Sequence, residues 1–242
     1  MNNINLQTEA NVLTGGIELI PFTDSTLQDS EIAISSHRVR GLYREKPTYD
    51  MVKRVVDVVC SLLALIVLSP LMLVVALLIV FDDFGSPVYT QERVGKNGRT
   101  FKIYKFRSMY KKADKIRDQL AALDECNGAT FKMKNDPRIT RIGHIIRKTS
   151  IDELPQLFNI LKGDMSIIGP RPFIAKEQAL LPDDRLLVNP GLSCYWQVGG
   201  KNSLSKEEQI ELDRKYIRER SIAVDIKIII KTILFVFKSG NS

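Results

Sequence analysis

The stretch VVCSLLALIVLSPLMLVVALLIVF, residues 58–81, determines how this chain meets a membrane. Its twenty-four residues carry no charge, and a helix of that length is roughly 36 Å long, enough for a hydrocarbon core of about 30 Å. Pro70 follows Ser69 at its centre. Proline removes a backbone donor and clashes with the carbonyl of Ile66, although the Ser69 hydroxyl can bond a freed backbone group. The stretch therefore predicts either a kinked span or two half-helices that enter the membrane and return.

Basic residues flank this segment on both sides. They are Arg44, Lys46, Lys53 and Arg54 before it, and Arg93, Lys96, Arg99, Lys102, Lys105 and Arg107 after it. Because positive residues favour the cytoplasmic side, both flanks favour a segment that returns. However, Asp82 and Asp83 follow the segment directly, and long domains obey this rule poorly. Charge alone therefore leaves the spanning helix and the returning hairpin both open.

Charge also divides the chain of 242 residues into regions. Residues 1–37 contain no Lys or Arg, whereas residues 38–54 contain six basic residues. We expect an acidic and then basic tail over residues 1–50, largely disordered, followed by a membrane segment over 51–83 and a cytosolic domain over 84–242. The three cysteines are odd in number and far apart, so the pattern indicates a reducing compartment without a disulfide framework or a zinc site.

The domain after the membrane segment combines a β-hairpin with helices. Apolar and polar residues alternate over 88–94 and 100–106, on either side of an Asn-Gly pair typical of a tight turn. Helical patterns follow over residues 111–123 and 225–238. Between them, basic residues recur every third position with isoleucines among them: Arg138, Arg141, His144 and Arg147, with Ile142, Ile145 and Ile146. This pattern is typical of a helix at an anionic membrane surface or of a solvated, salt-bridged helix.

The segment IDELPQLFNILKGDMSIIGPRP, residues 151–172, carries adjacent acids and a rigid arginine. Ser150 can cap a helix here, with Glu153 at the capping-box position, which is a structural explanation for Asp152 and Glu153. Arg171 lies between two prolines, and a rigidly held guanidinium suits a phosphate better than a mobile one does.

Taken in order, these segments resemble one family. The block above, FKIYKFRSM (residues 101–109) and NPGLSCYWQVGGKN (residues 189–202) are similar to the bacterial sugar transferases known as monotopic phosphoglycosyl transferases. The similarity covers residues 51–238 and makes residues 84–242 the catalytic domain. It implies an α+β fold: a re-entrant membrane hairpin of helix, break at Ser69-Pro70 and helix, followed by a small, mainly helical cytosolic domain with a β-hairpin and interfacial amphipathic helices.

The resemblance also implies a reaction and its residues. A sugar 1-phosphate passes from a UDP-sugar to undecaprenyl phosphate, which releases UMP and starts the assembly of an exopolysaccharide, capsule or O-antigen type glycan. By this resemblance Asp152 is the nucleophile and Glu153 holds Mg²⁺. Further residues are implied by the same motifs: Lys105, Arg147 and Arg171 for substrate phosphates, and Gln197, Lys201 and Asn202 for the nucleotide or sugar. Splitting the transfer through a covalent intermediate lets UMP leave before the second phosphate arrives.

Location and partners follow from the same resemblance. We expect the protein at the cytoplasmic face of the inner membrane, among its lipids, with downstream glycosyltransferases as partners. Ser193-Cys194 and Gly200-Lys201 depart from the usual family pattern, which leaves the donor sugar undetermined. The alternatives are an inactive homologue or a basic membrane adaptor that recruits the glycan machinery. A nucleic-acid binder is not expected, since the basic pI near 9.3 comes without a visible recognition module.

Overall fold

The computed structural model describes residues 44–111, 113, 136–199 and 204–239. The predicted tail up to residue 43, most of the helix predicted over 111–123, and Lys201 and Asn202 lie outside the described residues. The helices are α1 (Pro47–Asp82), α2 (Arg141–Lys148), α3 (Gln156–Lys162), α4 (Ala175–Gln178), α5 (Tyr195–Gly199), α6 (Lys206–Glu219) and α7 (Ile222–Ser239). The strands are β1 (Val88–Val94), β2 (Thr100–Phe106), β3 (Ser166–Ile168) and β4 (Gly191–Ser193). A mixed α/β architecture is therefore confirmed.

Helix α1 is one helix of 36 residues, with Pro70 inside it. It begins at Pro47, because proline is well suited to the first helical position. Helical structure continues through residue 70, so the residues before and after Ser69-Pro70 belong to one helix. The physical reason is local: the hydroxyl of Ser69 donates to the carbonyl of Ile66 over 2.8 Å, and thus satisfies the group that Pro70 leaves without a donor.

Most of α1 presents apolar side chains to the outside. Among the described residues, it is the one helix long and apolar enough to cross a membrane. Its exposed large side chains include Val55, Val59, Leu62, Leu63, Ile66, Val67, Leu71, Leu73, Val74, Leu77, Leu78 and Phe81. An apolar surface this continuous marks a membrane or protein contact, and its length and composition favour membrane association.

Both halves of α1 also contact the domain that follows it. In the first half, Arg54 donates to the carbonyl oxygens of Ile160 and Leu161 over 2.6 and 2.7 Å. At the other end, the backbone N–H of Ile142 donates to Asp82 over 3.2 Å. Two apolar clusters lie between these ends, one of Ile103, Leu157, Ile160 and Met165 against Ala64 and Leu65, the other of Phe106 and Ile146 with Val75 and Ile79. The domain is therefore attached along α1 rather than at one end.

The predicted hairpin is confirmed with the expected bounds. Strands β1 and β2 pair antiparallel, with Val88 opposite Phe106 and Val94 opposite Thr100. The turn between them needs positive φ angles, which Asn97 (56°) and Gly98 (75°) adopt. Successive side chains of β2 lie on alternate faces of the hairpin.

A second, parallel sheet of two short strands was not predicted. Strand β3 pairs with β4, with Ser166 opposite Gly191. The backbones of Gly169 and Gly191 lie so close that a Cβ on Gly191 would collide with the backbone nitrogen of Gly169. Only glycine, which has no Cβ, allows the two backbones to approach so closely. This approach positions the Pro-Arg-Pro segment that follows β3.

The basic residues predicted for one helix face divide between two environments. Helix α2 starts after Thr140, whose hydroxyl accepts from the N–H of Gly143 over 2.9 Å. Arg138 precedes α2, is buried and pairs with Asp136 over 2.6 Å, so its assignment to the basic helix face is wrong. The face that remains consists of the exposed residues Arg141, His144, Arg147 and Lys148, while Ile146 packs into the core.

Candidate active site

Asp152 and Glu153 lie in a separate turn rather than in the first turn of a long helix. Residues Ile151–Glu153 form a 3-10 turn, and α3 begins only at Gln156. The side chain of Ser150 makes no capping hydrogen bond, and its φ is 58°. The predicted capping box is therefore wrong. Ser150 and Glu153 precede Pro155 and do not stand at the start of α3. The carboxylate of Glu153 is instead directed to cations from distant segments.

Among the described residues, cations from two other segments hold Glu153. The Lys105 ammonium, from β2, lies 2.8 Å from its Oε1 atom, and the Arg171 Nη2 atom lies 3.0 Å from the same oxygen. All three side chains are 16 to 23% exposed, so the cluster is partly shielded from water but open to a ligand. The structure thus brings together three of the predicted site residues.

Asp152 differs from its neighbour, because it forms no hydrogen bond or ion pair within the part of the chain that the structure describes. Burial raises the pKa of Asp152 above its ordinary value. Lys105 opposes this rise, Glu153 adds to it, and Arg147 and Arg171 oppose it. The result is a shielded carboxyl group among cations, without a hydrogen-bond or ion-pair partner among the described residues. This arrangement suits a group that reacts with a ligand more than one that stabilises the fold.

Arg147 is an available cation near Asp152 in the described part of the chain. It lies in the last turn of α2 and is exposed, and its guanidinium has no hydrogen bond or ion pair among the described residues. It nevertheless lies near enough to lower the pKa of Asp152. A free guanidinium beside a carboxyl group can bind a phosphate bidentately.

A buried ion pair that the sequence did not reveal supports Arg171 from behind. The Arg185 Nη2 atom donates to the backbone oxygen of Arg171 over 2.8 Å and to Asp213 over 2.7 Å. The guanidinium of Arg185 also lies over the ring of Phe173, 4.4 Å from its centroid. Burial raises the pKa of Asp213 to about 6, against the opposing effect of Arg185. No motif marks this pair, because the two residues lie 28 positions apart.

Gln197 lies in the core near the same cluster. It is buried, and its Oε1 atom accepts from the Cys194 thiol over 3.1 Å. Burial raises the pKa of Cys194, so the thiol stays neutral. Cys194 in turn lies within electrostatic range of Arg171. Gln197 is therefore buried beside Cys194, and no hydrogen bond among the described residues links it to Lys105, Glu153 or Arg171.

The acid pair fits Mg²⁺ only together with a substrate. No group of three or more His, Cys, Asp or Glu side chains that could hold a metal ion occurs among residues 44–111, 113, 136–199 and 204–239. Mg²⁺ commonly takes one or two protein carboxylates and completes its shell with substrate phosphates and water. Asp152 and Glu153 supply two adjacent carboxylates, so the donor set is consistent with an ion that a diphosphate brings with it.

Comparison with known proteins identifies the family. Residues 48–239 match the family described as bacterial sugar transferase. The chain is 42% identical over 197 residues to an undecaprenyl-phosphate galactose phosphotransferase of Salmonella typhimurium, covering 78% of this chain and 41% of that protein. It is 40% identical over 200 residues to an undecaprenyl-phosphate glucose phosphotransferase of Komagataeibacter xylinus, covering 76% of this chain and 36% of that protein.

A third relative has nearly the same length. The exopolysaccharide production protein ExoY of Rhizobium meliloti is 39% identical over 204 residues, covering 81% of this chain and 90% of that protein. The chain thus spans less than half of the two phosphotransferases but almost all of ExoY. The family match includes the hairpin, the acid pair and the segment that carries Arg171, all of which lie within residues 48–239. The chain therefore belongs to the bacterial sugar transferase family.

Proposed function

We propose that this protein transfers a sugar 1-phosphate from a UDP-sugar to undecaprenyl phosphate and releases UMP. The single observation that carries the proposal is the contrast between the two acids: Glu153 is held by Lys105 and Arg171, while Asp152 has no partner among the described residues. Relatives at about 40% identity are named as undecaprenyl-phosphate sugar phosphotransferases, which supports the class of both substrates.

The first step forms a covalent intermediate. A carboxylate oxygen of Asp152 attacks the β-phosphorus of the UDP-sugar, and the bond from that phosphorus to the oxygen shared with the α-phosphate breaks. UMP leaves with the electron pair, and the sugar phosphate remains as an acyl phosphate on Asp152. A carboxylate nucleophile divides the transfer into two displacements.

The second step regenerates the enzyme. An oxygen of undecaprenyl phosphate attacks the same phosphorus, and the bond to Asp152 breaks. The products are the undecaprenyl diphosphate sugar and the free carboxylate. We propose that Arg147 holds the incoming phosphate. Its guanidinium is exposed, has no partner among the residues described and lies near enough to Asp152 to lower its pKa. Binding the two polyanions in turn avoids the repulsion between them.

Glu153 and its cations prepare the site for negative charge. Lys105 and Arg171 hold Glu153 through one oxygen, so Glu153 keeps a fixed orientation toward a diphosphate beside Asp152. Mg²⁺ bound at Glu153 would neutralise charge on the diphosphate. The fixed cations supply part of the same stabilisation, which is usually a large contribution in phosphoryl transfer.

We further propose that α1 enters and leaves the membrane on the cytoplasmic side, with its bend at Ser69-Pro70. In a straight helix Arg54 and Asp82 would lie roughly 42 Å apart, on opposite sides of a hydrocarbon core of about 30 Å. Instead, both bond backbone atoms of the same domain, at Leu161 and Ile142. A returning helix keeps both contacts at one membrane face, where the proposed substrates meet.

Cysteine labelling tests this topology. In a background without native cysteines, Arg44→Cys and Lys111→Cys should both react with a membrane-impermeant maleimide only after the cytoplasmic face is exposed. Labelling of Arg44→Cys from outside intact spheroplasts would contradict the returning helix. That result would leave the proposed reaction standing, because the catalytic domain would still face the cytoplasm.

A UMP-release screen tests the reaction. Detergent-solubilised protein is mixed with each of several UDP-sugars and Mg²⁺, with and without undecaprenyl phosphate, and the donor carries a radiolabelled sugar. We expect one donor to release UMP in amounts stoichiometric with enzyme without acceptor, to leave label on the protein, and to turn over when acceptor is added. An adaptor or inactive homologue would release none. The same screen identifies the sugar, since the relatives' names specify galactose in one case and glucose in another.

We also infer the place of this reaction in glycan assembly. Attaching the first sugar to the lipid carrier supplies the substrate of later glycosyltransferases, and the relatives include an exopolysaccharide production protein. On this basis the protein starts an exopolysaccharide, capsule or O-antigen type glycan at the cytoplasmic face of the inner membrane. Loss of the glycan on gene deletion, with restoration by the active protein only, tests that placement.

A further inference from the structure

An apolar groove lies between α1, the hairpin and α3. Its volume is about 550 Å³, within the range of roughly 300 to 1,000 Å³ typical of ligand pockets. The groove is lined mainly by Met72, Tyr104, Phe106, Pro155, Phe158 and Leu161. These side chains come from three elements, so the groove exists only in the folded domain docked on α1.

One end of the groove lies close to the acid pair. Pro155 lines the groove and follows Glu153 by two residues, so their backbones are at most about 7 Å apart. Tyr104 and Phe106 point into the groove from β2, while Lys105, between them, points from the other face of the strand to Glu153. The same strand therefore serves the groove with one face and the charged cluster with the other.

The groove also opens toward the surface that faces lipid. Met72 belongs to the apolar helix α1, two residues after Pro70. Phe158 lines the groove and is 49% exposed, and Val88 at its rim is 38% exposed. The groove is thus continuous with the exposed apolar surface of α1, so a lipid chain can enter it without leaving an apolar environment.

Charges near the groove favour an anionic head group at the catalytic end. Lys162, at the far end of α3, is already paired with Asp164 over 3.1 Å. At the other end, Ile146 of α2 belongs to the same core cluster as Phe106, and the neighbouring Arg147 lies near enough to Asp152 to lower its pKa. Arg147 has no ion pair within the described part of the chain. A phosphate at this end would therefore find a cation that no described residue neutralises.

We propose that this groove binds the phosphate-proximal isoprenoid units of the lipid acceptor and so directs its phosphate to Asp152. A polar nucleotide sugar does not match an apolar wall, whereas a phosphate monoester on a prenyl chain matches both ends of the groove. The inference rests on the proposed function, because that function supplies the lipid phosphate. It adds a binding site for the chain and a route for the acceptor that differs from the route of the donor.

A photolabelling experiment tests the site without relying on catalysis. The protein in phosphatidylcholine nanodiscs is irradiated with undecaprenyl phosphate that carries a diazirine in its phosphate-proximal isoprenoid unit. We expect adducts on the peptides that contain Tyr104 and Phe158, and we expect excess undecaprenyl phosphate to suppress them. Adducts confined to other peptides would overturn the proposal. So would equal suppression by added phosphatidylglycerol, since the groove would then hold an ordinary acyl chain.

A kinetic experiment separates chain binding from chemistry. Phe158→Ala should raise the KM for undecaprenyl phosphate about tenfold, while acceptor-independent UMP release stays unchanged. Phe158→Leu should recover most of the affinity, and Leu73→Ala, a 63% exposed position on α1 outside the groove, should behave as wild type. An unchanged KM for Phe158→Ala would overturn the proposal. If the wild type releases no UMP from any donor, the proposed function fails, while the photolabel still decides whether the groove binds the prenyl chain.

Discussion

Two clusters of charged side chains both contact Arg171 but differ in how exposed they are. Arg185 and Asp213 are 4 and 5% exposed and satisfy each other, whereas Lys105, Glu153 and Arg171 are several times more exposed and lie beside Asp152. Their link is the hydrogen bond from Arg185 to the backbone oxygen of Arg171. A sealed, satisfied pair stabilises the fold, while an open cluster beside an acid that has no partner among the described residues is prepared for a ligand.

The largest expected effect is a loss of activity on substitution of Asp152, which distinguishes the open cluster from the sealed pair. Asp152→Asn should abolish acceptor-independent UMP release, by about 10⁴-fold or more as for other nucleophiles, because an amide cannot form the acyl phosphate. Its thermal unfolding should match the wild type, since Asp152 bonds none of the described residues. Asp183→Asn, an exposed aspartate outside the cluster, is the matched control. Residual stoichiometric release by Asp152→Asn would assign the nucleophile elsewhere.

The opposite behaviour is expected for the sealed pair. Arg185→Ala leaves a buried carboxylate without its partner, which should lower the free energy of unfolding by about 3–5 kcal/mol. For a domain of this size the midpoint should fall on the order of 10 °C, measured by thermal denaturation in detergent. The double variant Arg185→Met with Asp213→Leu should recover much of the loss. A stable Arg185→Ala protein with lost activity would instead move this pair into the site.

Lys105 tests whether the open cluster serves charge stabilisation. Lys105→Ala should lower the rate of UMP release about 10² to 10³-fold, with an unfolding midpoint near that of the wild type, because Arg171 still holds Glu153. Lys105→Arg should recover part of the rate. The control is Lys96→Ala, an exposed lysine in the hairpin turn. A Lys105 variant that loses stability but keeps its rate of UMP release would show that the open cluster stabilises the fold, as the sealed pair does.

The smallest expected effect is on the pH dependence of the first step. Burial raises the pKa of Asp152, and attack requires the ionised carboxylate. The single-turnover rate of UMP release should therefore decrease as the pH is lowered, with a midpoint above the ordinary aspartate pKa of about 3.9. Arg147 lowers the same pKa. Arg147→Gln should therefore move the acid limb to higher pH, and Arg141→Gln should leave it in place. A shift in the other direction would contradict the electrostatic role of Arg147.

The hairpin and the acid pair show where sequence reasoning succeeds and where it stops. The bounds of β1 and β2 were predictable because alternation and an Asn-Gly turn are local features. The helical start assigned to Ser150 and Glu153 was wrong, because capping patterns do not reveal a competing partner. Glu153 bonds cations 48 and 18 positions away instead. Strands β3 and β4 were missed because each has three residues, too few for periodicity to show.

The sequence by itself determined the features that depend on composition and short spacing: a charge-free segment of membrane length, a Ser-Pro pair at its centre, a hairpin, and an Asp-Glu pair before a short helix. Only the tertiary structure decided which cations meet Glu153, that Asp152 stays without a partner among the described residues, that Arg185 and Asp213 support Arg171 from behind, and that an apolar groove ends beside the acid pair. The physical reason is that local order follows from backbone and pattern preferences of neighbouring residues, whereas these contacts require packing between segments that lie far apart in the chain.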